Sequence, residues 1–580
     1  MKQLKKIYHQ YYKIIVMYLF PIILFLYPFM TVNQGVDVSD STYSFSNFLF
    51  FERMEGMWVV STYVSNLVGW VLTRLPFGTT LLGMKFYATL LVSGTALLVY
   101  FAFQKWMPAW IAFVGEMIAI GFCWIPTGIL YNYLTYFFFT LGAILLYQGL
   151  VEEKDSRLLA AGFCLGLNVF VRIPNLTEMA LIVGLWYYLA SKHQKINIII
   201  QKTMKCLAGY LMGAVIPLIM VVIQFGFTGI VDMIVGLSSI GGSDNTYSIW
   251  SMIMSVVDAY RRTSKWVFLI LIGIAMGMVM FFLLKGKLEG LKKIAYLVGM
   301  AVLLRFLWGR GMFSFRYYED YTSMYEWGMI GLYLIWFAAI YMLVSKKNTL
   351  EEKLWAVMVM VITVVTPLGS NNFTFQNLNN LFLTMPFGVY TFVKIFRRKA
   401  GSGMLSGITF PWKAMVLMLW IAIAVQTVGF HSQFVFRDGM DGTKRDYTFT
   451  EPKVVAGMRT TQANGKALQD LMQYLEEKEL TNQEVILYGD CPGLSFLLKM
   501  SFAIGTSWPD LASYPYETFV QDLDTLEEAP LVIIRNVLTG GEQSVAKKEY
   551  LMAFLNSHSY VNIYNNGTYG IYVTQNDTLD

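Results

Sequence analysis

The stretch TVNQGVDVSDSTYSFSNFLFFERMEGMW, residues 31–58, decides how the rest of the chain is organised. It follows an apolar run at residues 11–30, and about 20 apolar residues are enough for a helix to cross a bilayer. Four lysines lie at the amino-terminal side of that run: Lys2, Lys5, Lys6 and Lys13. Because basic residues stay on the cytoplasmic side of a membrane, we expect the stretch to form the first outer loop.

This first outer loop carries four carboxylates: Asp37, Asp40, Glu52 and Glu55. Asp37 and Asp40 are three positions apart, at the point where the chain leaves the membrane. Such acids suit a general base, a pair of metal ligands or a solvated turn. The loop alone leaves these three interpretations open.

The composition is that of a polytopic membrane protein. Of the 580 residues, 56% are hydrophobic and only 14% are charged, which excludes an ordinary soluble globular chain. The formal charge of +6 requires no nucleic-acid partner, because the basic residues gather in short loops between apolar runs. The four cysteines show no spacing typical of a disulfide framework or a zinc site.

About thirteen apolar runs are candidates for membrane spans. They lie at residues 11–30, 79–104, 108–126, 130–151, 158–173, 176–190, 206–227, 266–284, 294–308, 327–344, 354–368, 381–395 and 415–430. The amino-terminal lysines keep the amino terminus in the cytoplasm, so an odd number of spans puts the carboxyl terminus outside it, and the lysine-rich loops assigned to the inner side agree. We therefore predict a multi-pass domain of the cell membrane at residues 1–431.

From residue 432 onward the pattern becomes that of a small extracytoplasmic α/β domain, residues 432–580. Helices are predicted at residues 463–479 and 543–556, and short buried strands at residues 484–488 and 531–534. Residues 560–573 alternate around Asn-Asn-Gly, which predicts a hairpin. We interpret Asp490, in the run Gly-Asp-Cys-Pro, as the cap of a helix rather than as part of a reactive thiol site.

Arginines are predicted at the outer ends of spans, on the same side as Asp40. Arg172 and Arg305 fall within apolar runs, and Arg310 and Arg316 follow the ninth run. A guanidinium presents a planar fork of donors that matches phosphate oxygens. The alternative is that these side chains reach the lipid headgroups without a specific ligand.

Two other polar features invite a functional interpretation. The outer loop at residues 369–380, which includes Asn371 and Asn372, is dense in amides that suit a sugar or a phosphate ester, although the same residues also favour turns. Glu116 lies in the middle of the third run, where we expect it to be protonated or hydrogen-bonded to a neighbouring helix rather than catalytic.

The order of these features resembles the GT-C class of integral membrane glycosyltransferases, which includes protein O-mannosyltransferases and aminoarabinose transferases. The resemblance rests on an acidic first outer loop followed by an interfacial helix, about thirteen spans, a carboxyl-terminal outer domain and three short motifs. The motifs are Asp40-Ser-Thr-Tyr43, Tyr131-Asn-Tyr-Leu-Thr-Tyr136 and Arg172-Ile-Pro174. In this chain Ser41 replaces the second acid of the family's usual pair and leaves Asp37 as the nearby substitute, so a divalent metal is not indicated.

The resemblance implies transfer of a hexosyl or pentosyl group from a polyprenyl-phosphate donor to a lipid, glycan or protein acceptor at the outer face of the cytoplasmic membrane. Asp40, with Asp37 beside it, would be catalytic. The substrate-binding residues would be Tyr43, Arg172, Arg305, Arg310, Arg316, Asn371 and Asn372. No cofactor is predicted. The alternatives are a lipid or polysaccharide transporter of the cell envelope, or a surface protein whose spans serve only as an anchor.

Overall fold

The computed structural model describes residues 11–54, 60–124, 128–243, 249–283, 288–314, 322–370, 372–397, 412–438, 443–511, 513–537 and 542–575. The amino-terminal helices are α1 (Tyr11–Thr31), α2 (Asp40–Leu49), α3 (Tyr63–Thr73), α4 (Leu81–Phe103), α5 (Ala109–Phe122), α6 (Leu130–Val151), α7 (Asp155–Val169), α8 (Ile182–Ser191) and α9 (Ile196–Ser243). The next helices are α10 (Ile249–Leu283), α11 (Glu289–Gly309), α12 (Thr322–Val344), α13 (Leu350–Val365), α14 (Phe375–Asn379), α15 (Thr384–Arg397) and α16 (Trp412–Gln433).

The carboxyl-terminal part alternates strands and helices. Its strands are β1 (Tyr447–Thr448), β2 (Arg459–Thr460), β3 (Val485–Tyr488), β4 (Leu531–Arg535), β5 (Tyr560–Asn565) and β6 (Tyr569–Thr574). Its helices are α17 (Gln462–Glu477), α18 (Leu494–Leu498), α19 (Tyr516–Asp524) and α20 (Glu542–Ser557).

Within the described residues, seven helices are long and apolar enough to cross a membrane, judged by length and composition. They are α1, α4, α6, α9, α10, α12 and α16, and α5 is a shorter apolar helix of the same kind. The other predicted runs also lie on helical segments, which are shorter or more polar. The polytopic helical architecture is therefore confirmed, whereas the number of thirteen spans and the sidedness of the termini stay predictions.

Glycines bring α7 and α9 into direct backbone contact. A Cβ atom at Gly162 of α7 would lie 1.9 Å from the carbonyl oxygen of Cys206 on α9, and one at Gly166 would lie 1.9 Å from that of Tyr210. Such close approach is typical of membrane helices that pair through small residues four positions apart. The contact fixes the end of α7, from which the segment with Arg172 emerges.

The carboxyl-terminal domain is built on a four-stranded sheet in the order β3-β4-β6-β5. Strands β3 and β4 are parallel, and β5 and β6 form the antiparallel hairpin that the Asn-Asn-Gly pattern predicted. Every residue of β3 is buried, as expected of a strand covered on both faces. A small carboxyl-terminal α/β domain is confirmed, whereas its bounds at residues 432–580 and its position outside the membrane stay predictions. The carboxyl ends of β3 and β4 meet at one edge of its sheet.

The first outer loop is packed against this domain. The backbone N–H of Arg459 donates to Asn33 O at 2.8 Å, and the N–H of Gly493 donates to Val38 O at 2.8 Å. A Cβ atom at Gly493 would lie 1.6 Å from Thr42 Oγ1, so the domain approaches α2 as closely as a glycine permits. The loop and the sheet edge are therefore held in one fixed arrangement.

Candidate active site

Asp37 is buried and stabilises the turn that begins α2. Its Oδ1 accepts from the N–H and the Oγ of Ser39 at 2.9 and 2.7 Å, and its Oδ2 accepts from the N–H and the Oγ of Ser41 at 2.9 and 2.8 Å. Short polar side chains at such positions satisfy the N–H groups that a helix start leaves unpaired. The geometry thus favours a capping role for Asp37 over the catalytic role predicted from the sequence.

Asp40 is the first residue of α2 and faces an arginine from the carboxyl-terminal part of the chain. Arg437 Nη1 lies 3.2 Å from Asp40 Oδ2 and 3.8 Å from Oδ1 of Asp490, which follows strand β3. The side chains of Asp40 and Asp490 remain 32% and 38% exposed, so a substrate can reach both carboxylates. One guanidinium therefore bridges two accessible acids from opposite ends of the chain.

Local backbone geometry presents Asp490 at the sheet edge. Gly489 has φ of 96°, and a Cβ atom there would lie 2.2 Å from Arg535 O, so only glycine fits. Asp490 itself has φ of 54°, a left-handed conformation that Asp and Asn adopt more readily than most residues. Its N–H donates to Asp510 Oδ2 at 2.7 Å. The carboxyl ends of parallel strands are a common location for ligand-binding residues.

This arrangement corrects the interpretation of Asp490 as a helix cap. The helix that follows, α18, begins only at Leu494, and its cap position is Gly493 with no side-chain hydrogen bond. The neighbouring thiol of Cys491 is fully buried and donates to Tyr488 O at 3.3 Å. Burial raises the pKa of Cys491, which agrees with the prediction that this thiol is not reactive.

Both acids at Arg437 have raised pKa values. Burial, the largest effect, raises the pKa of Asp40 to about 6 against the opposing charge of Arg437. The negative charges of Asp37 and Asp490 add to this increase. Burial likewise raises the pKa of Asp490 to about 6, again opposed by Arg437. Each carboxylate is ionised at neutral pH yet is a stronger base than an ordinary aspartate.

Tyr131, at the start of α6, interacts with both Asp40 and Arg172. Its phenol interacts electrostatically with Asp40, Tyr43, Arg172 and Arg437. The structure therefore brings together residues of all three motifs on which the family resemblance rests. Both Arg172 and Asp40 lie near enough to Tyr131 to interact with it, and a substrate-binding role for Arg172 stays a prediction.

Tyr43 lies on α2 and is packed into the carboxyl-terminal domain. Its ring meets that of Trp508 edge to face, with centroids 5.2 Å apart, and its hydroxyl is hydrogen-bonded to Asn47 and Thr506. Burial raises the pKa of the Tyr43 phenol, which stays protonated as a result. These contacts hold α2 on the domain, and a substrate-binding role for Tyr43 remains a prediction.

Arg172 is half-buried and held by the backbone of the amide-rich loop. Its Nη2 donates to Gly369 O at 2.7 Å. Buried amides fix the segment behind it, because Asn175 Nδ2 donates to Thr135 Oγ1 at 2.8 Å and to Asn168 O at 2.9 Å. A guanidinium has five N–H donors, and this bond to Gly369 uses one of them.

Arg305 and Arg310 make no ion pair with Asp40 within the described residues. Arg305 is exposed on α11, and Arg310, directly after that helix, is exposed with its guanidinium 5.3 Å from the ring centre of Phe306. Arg316 and Asn371 lie outside the described residues. Their predicted roles stay predictions.

The amides of the 369–380 loop mainly serve the fold. Asn377 Nδ2 donates to Thr363 O at 2.7 Å, and Asn379 Oδ1 accepts from the N–H of Trp124 at 2.6 Å. Asn372 is exposed, and its backbone N–H donates to Ser370 Oγ at 3.0 Å in a tight turn. The turn interpretation therefore accounts for most of this loop.

A metal ion does not fit these acids as they stand. The described residues contain no group of three His, Cys, Asp or Glu side chains arranged to hold one. Both oxygens of Asp37 already accept two hydrogen bonds each, and the cation between Asp40 and Asp490 is the guanidinium of Arg437.

Sequence reasoning missed Arg437 and the role of Asp490. The available signal for Asp490 was its position, because Gly489 and then Asp490 follow the buried strand EVILY. Arg437 gave no signal, because a single arginine beyond the last apolar run is ordinary in a membrane protein.

No known protein-family model and no curated protein matches this chain. It is similar to the solved structure of the Archaeoglobus fulgidus oligosaccharyltransferase in complex with Zn and sulfate, at 11% identity and a TM-score of 0.47, over 96% of this chain and 73% of that one. The same enzyme, AglB, with an inhibitory peptide and a dolichol-phosphate matches at 9% identity and a TM-score of 0.45, over 97% and 75%. ArnT from Cupriavidus metallidurans bound to undecaprenyl phosphate matches at 10% identity and a TM-score of 0.42, over 96% and 97%.

These structural neighbours are GT-C class membrane glycosyltransferases, the class that the sequence motifs resemble.

Proposed function

We propose that this protein is a membrane glycosyltransferase that moves a sugar from a polyprenyl-phosphate donor to an acceptor hydroxyl at the outer face of the cytoplasmic membrane. One observation carries the proposal: Tyr131 interacts electrostatically with the accessible carboxylate of Asp40 and with two guanidinium groups, those of Arg172 and Arg437. A base and fixed positive charge are the two chemical needs of such a transfer.

Asp40 acts as the general base. A base works best when its pKa lies near the working pH, and burial raises that of Asp40 to about 6. The acceptor O–H loses its proton to Asp40 while its oxygen forms a bond to the anomeric carbon of the sugar. Asp40 is suited to this step because it is ionised at neutral pH and still partly open to solvent.

Arg172 stabilises the leaving group. As the bond between the anomeric carbon and the phosphate oxygen breaks, the electron pair stays on the polyprenyl phosphate. Negative charge therefore grows on the phosphate, and a guanidinium that is already held in place stabilises it without reorganisation. Arg172 is held in this way by its bond to Gly369 O. A phosphate ester leaves readily, so no nucleotide site is required.

The acceptor is a hydroxyl group of an envelope lipid, glycan or protein, and the sugar is a hexose or a pentose. The long apolar helices support a reaction at the membrane, where the lipid chain of the proposed donor would lie beside them.

The proposal is tested with purified protein in lipid nanodiscs and a radiolabelled polyprenyl-phosphate sugar. We expect free polyprenyl phosphate to appear together with labelled product when envelope lipids, glycans or proteins are supplied. The transporter alternative gives a different result in sealed proteoliposomes: labelled lipid-linked sugar crosses the bilayer and its sugar–phosphate bond stays intact. Movement without bond cleavage would refute the proposed function.

A further inference from the structure

We propose that Asp490 of the carboxyl-terminal domain belongs to the active site, where it shares Arg437 with Asp40 and thereby keeps Asp40 available as a base. The inference rests on the proposed function and adds a positioning residue to it. It also gives the outer domain a part in the chemistry.

The geometry carries this inference. Arg437 Nη1 lies 3.2 Å from Asp40 and 3.8 Å from Asp490, so each carboxylate competes for the same nitrogen. An arginine paired with Asp40 alone would hold that carboxylate as an ion and make it a weaker base. A second carboxylate draws part of the guanidinium's charge away and adds like-charge repulsion, and both effects make Asp40 a stronger proton acceptor.

The fold holds Asp490 in this place through several independent contacts. Its backbone N–H is bound by Asp510, and its carbonyl oxygen accepts from Arg535 Nη1 at 3.2 Å. The loop with Asp510 is fixed by the fully buried ammonium of Lys547, which donates to Pro509 O at 2.9 Å and to two further carbonyls. A carboxylate that merely made a surface ion pair would not need such support.

Several charged and titratable groups surround the two acids. Those that interact with Asp40 are Arg437, Asp37, Asp490 and Tyr131. Those that interact with Asp490 are Arg437, Asp510, Asp37, Arg535, Cys491 and Asp40. Among them, only Arg437 makes an ion pair with both Asp40 and Asp490 within the described residues.

Two substitutions should move the pH dependence of transfer in opposite directions. Asp490→Asn removes one negative charge and leaves Arg437 paired with Asp40 alone. The pH below which transfer declines should therefore fall by about one unit. The maximal rate should be roughly three- to tenfold lower, because Asp40 becomes a weaker base. Asn also tolerates the left-handed backbone of Asp490. Arg437→Gln leaves both acids without their counter-ion, so the same decline should begin at higher pH. Glu484→Gln, at the opposite end of β3, is the control and should leave the decline unchanged.

The measurement is the rate of transfer from pH 5 to 9, together with the midpoint of thermal unfolding over the same range. The unfolding series needs no substrate, so it tests Asp490 even if the wild type transfers no sugar and the proposed function fails. There, Asp490→Asn should flatten the pH dependence and Arg437→Gln should steepen it. An Asp490→Asn variant with unchanged pH dependence in both series would overturn the inference. A complete loss of transfer by Asp490→Asn at every pH would also overturn it, because Asp490 would then be the base itself.

Discussion

Asp40→Asn is the substitution that tests the proposed chemistry most directly. It keeps the size of the side chain and removes the proton acceptor. One positioned base contributes about 10² to 10⁴ in rate. At about 1.36 kcal/mol for each factor of ten, we expect the barrier to transfer to rise by about 2.7 to 5.5 kcal/mol.

The pKa of Asp40 also sets the expected pH dependence in the wild type. Because that pKa is raised to about 6, the carboxylate is ionised above pH 6 and becomes protonated below it. Transfer should therefore fall about tenfold for each pH unit below 6. The residual activity of Asp40→Asn should lack this decline.

The same substitution should leave the fold intact and slightly more stable. The folded-state pKa of Asp40 lies above the unfolded value of about 3.9, so its contribution to stability is present below pH 4 and is lost as the pH rises to about 6. Asp40→Asn removes the unfavourable burial of a charged carboxylate at pH 8. The free energy of unfolding should therefore rise by at most about 3 kcal/mol, and by about 1 kcal/mol once solvent screening is included. We expect a higher unfolding midpoint for Asp40→Asn at pH 8 and no difference at pH 4.

The assay compares the purified wild type, Asp40→Asn and Glu52→Gln with a labelled polyprenyl-phosphate sugar. Glu52 is an exposed acid of the same loop, 3.5 Å from Arg74, so Glu52→Gln controls for the loss of a carboxylate alone. A transfer rate of Asp40→Asn within about threefold of the wild type, measured on folded protein, would refute the assignment of Asp40 as the base.

Three further predictions follow from the same geometry. Arg172→Ala should reduce use of the donor at least tenfold because a charge-assisted phosphate contact is lost. Arg261→Ala, at a side chain 80% exposed on α10, should have little effect, and equal effects of the two substitutions in the transfer assay would contradict the phosphate role. Gly493→Ala should lower the free energy of unfolding by about 1 to 3 kcal/mol, since its Cβ would overlap Thr42, whereas Gly94→Ala, with open space around it, should be neutral in thermal unfolding. Protease added to intact spheroplasts should remove the carboxyl-terminal domain, and a domain that is cut only in inverted vesicles would show that the predicted topology is wrong.

Much of the fold follows from local sequence patterns. Apolar runs and their lysine-rich flanks predicted a polytopic helical protein, because the bilayer imposes a fixed apolar length on each span. The strands EVILY and LVII and the Asn-Asn-Gly hairpin were predicted close to their observed bounds, since a buried strand and a tight turn each need particular residues nearby in sequence. The number of spans is harder to predict, because several runs form helices shorter than a bilayer requires.

The candidate site could be predicted only in part from local sequence patterns. Asp40 and Arg172 were chosen from the sequence because each belongs to a short motif at the end of an apolar run, and their roles stay predictions. Asp37 was paired with Asp40 on spacing alone, and its hydrogen bonds to Ser39 and Ser41 favour a capping role at the start of α2. Spacing cannot distinguish a cap from a catalytic acid, because both occur at a helix start.

The sequence by itself determined that this is a helical membrane protein with an acidic segment after its first apolar run and a small α/β domain, because hydropathy and turn chemistry act over neighbouring residues. Only the tertiary structure placed Arg437 between Asp40 and Asp490, which lie on elements from opposite ends of the chain. That contact depends on the close packing of Gly493 against Thr42 and on the left-handed turn at Gly489, and its electrostatic consequences depend on burial. Burial and long-range contacts are properties of the folded chain, so no spacing in the sequence encodes them.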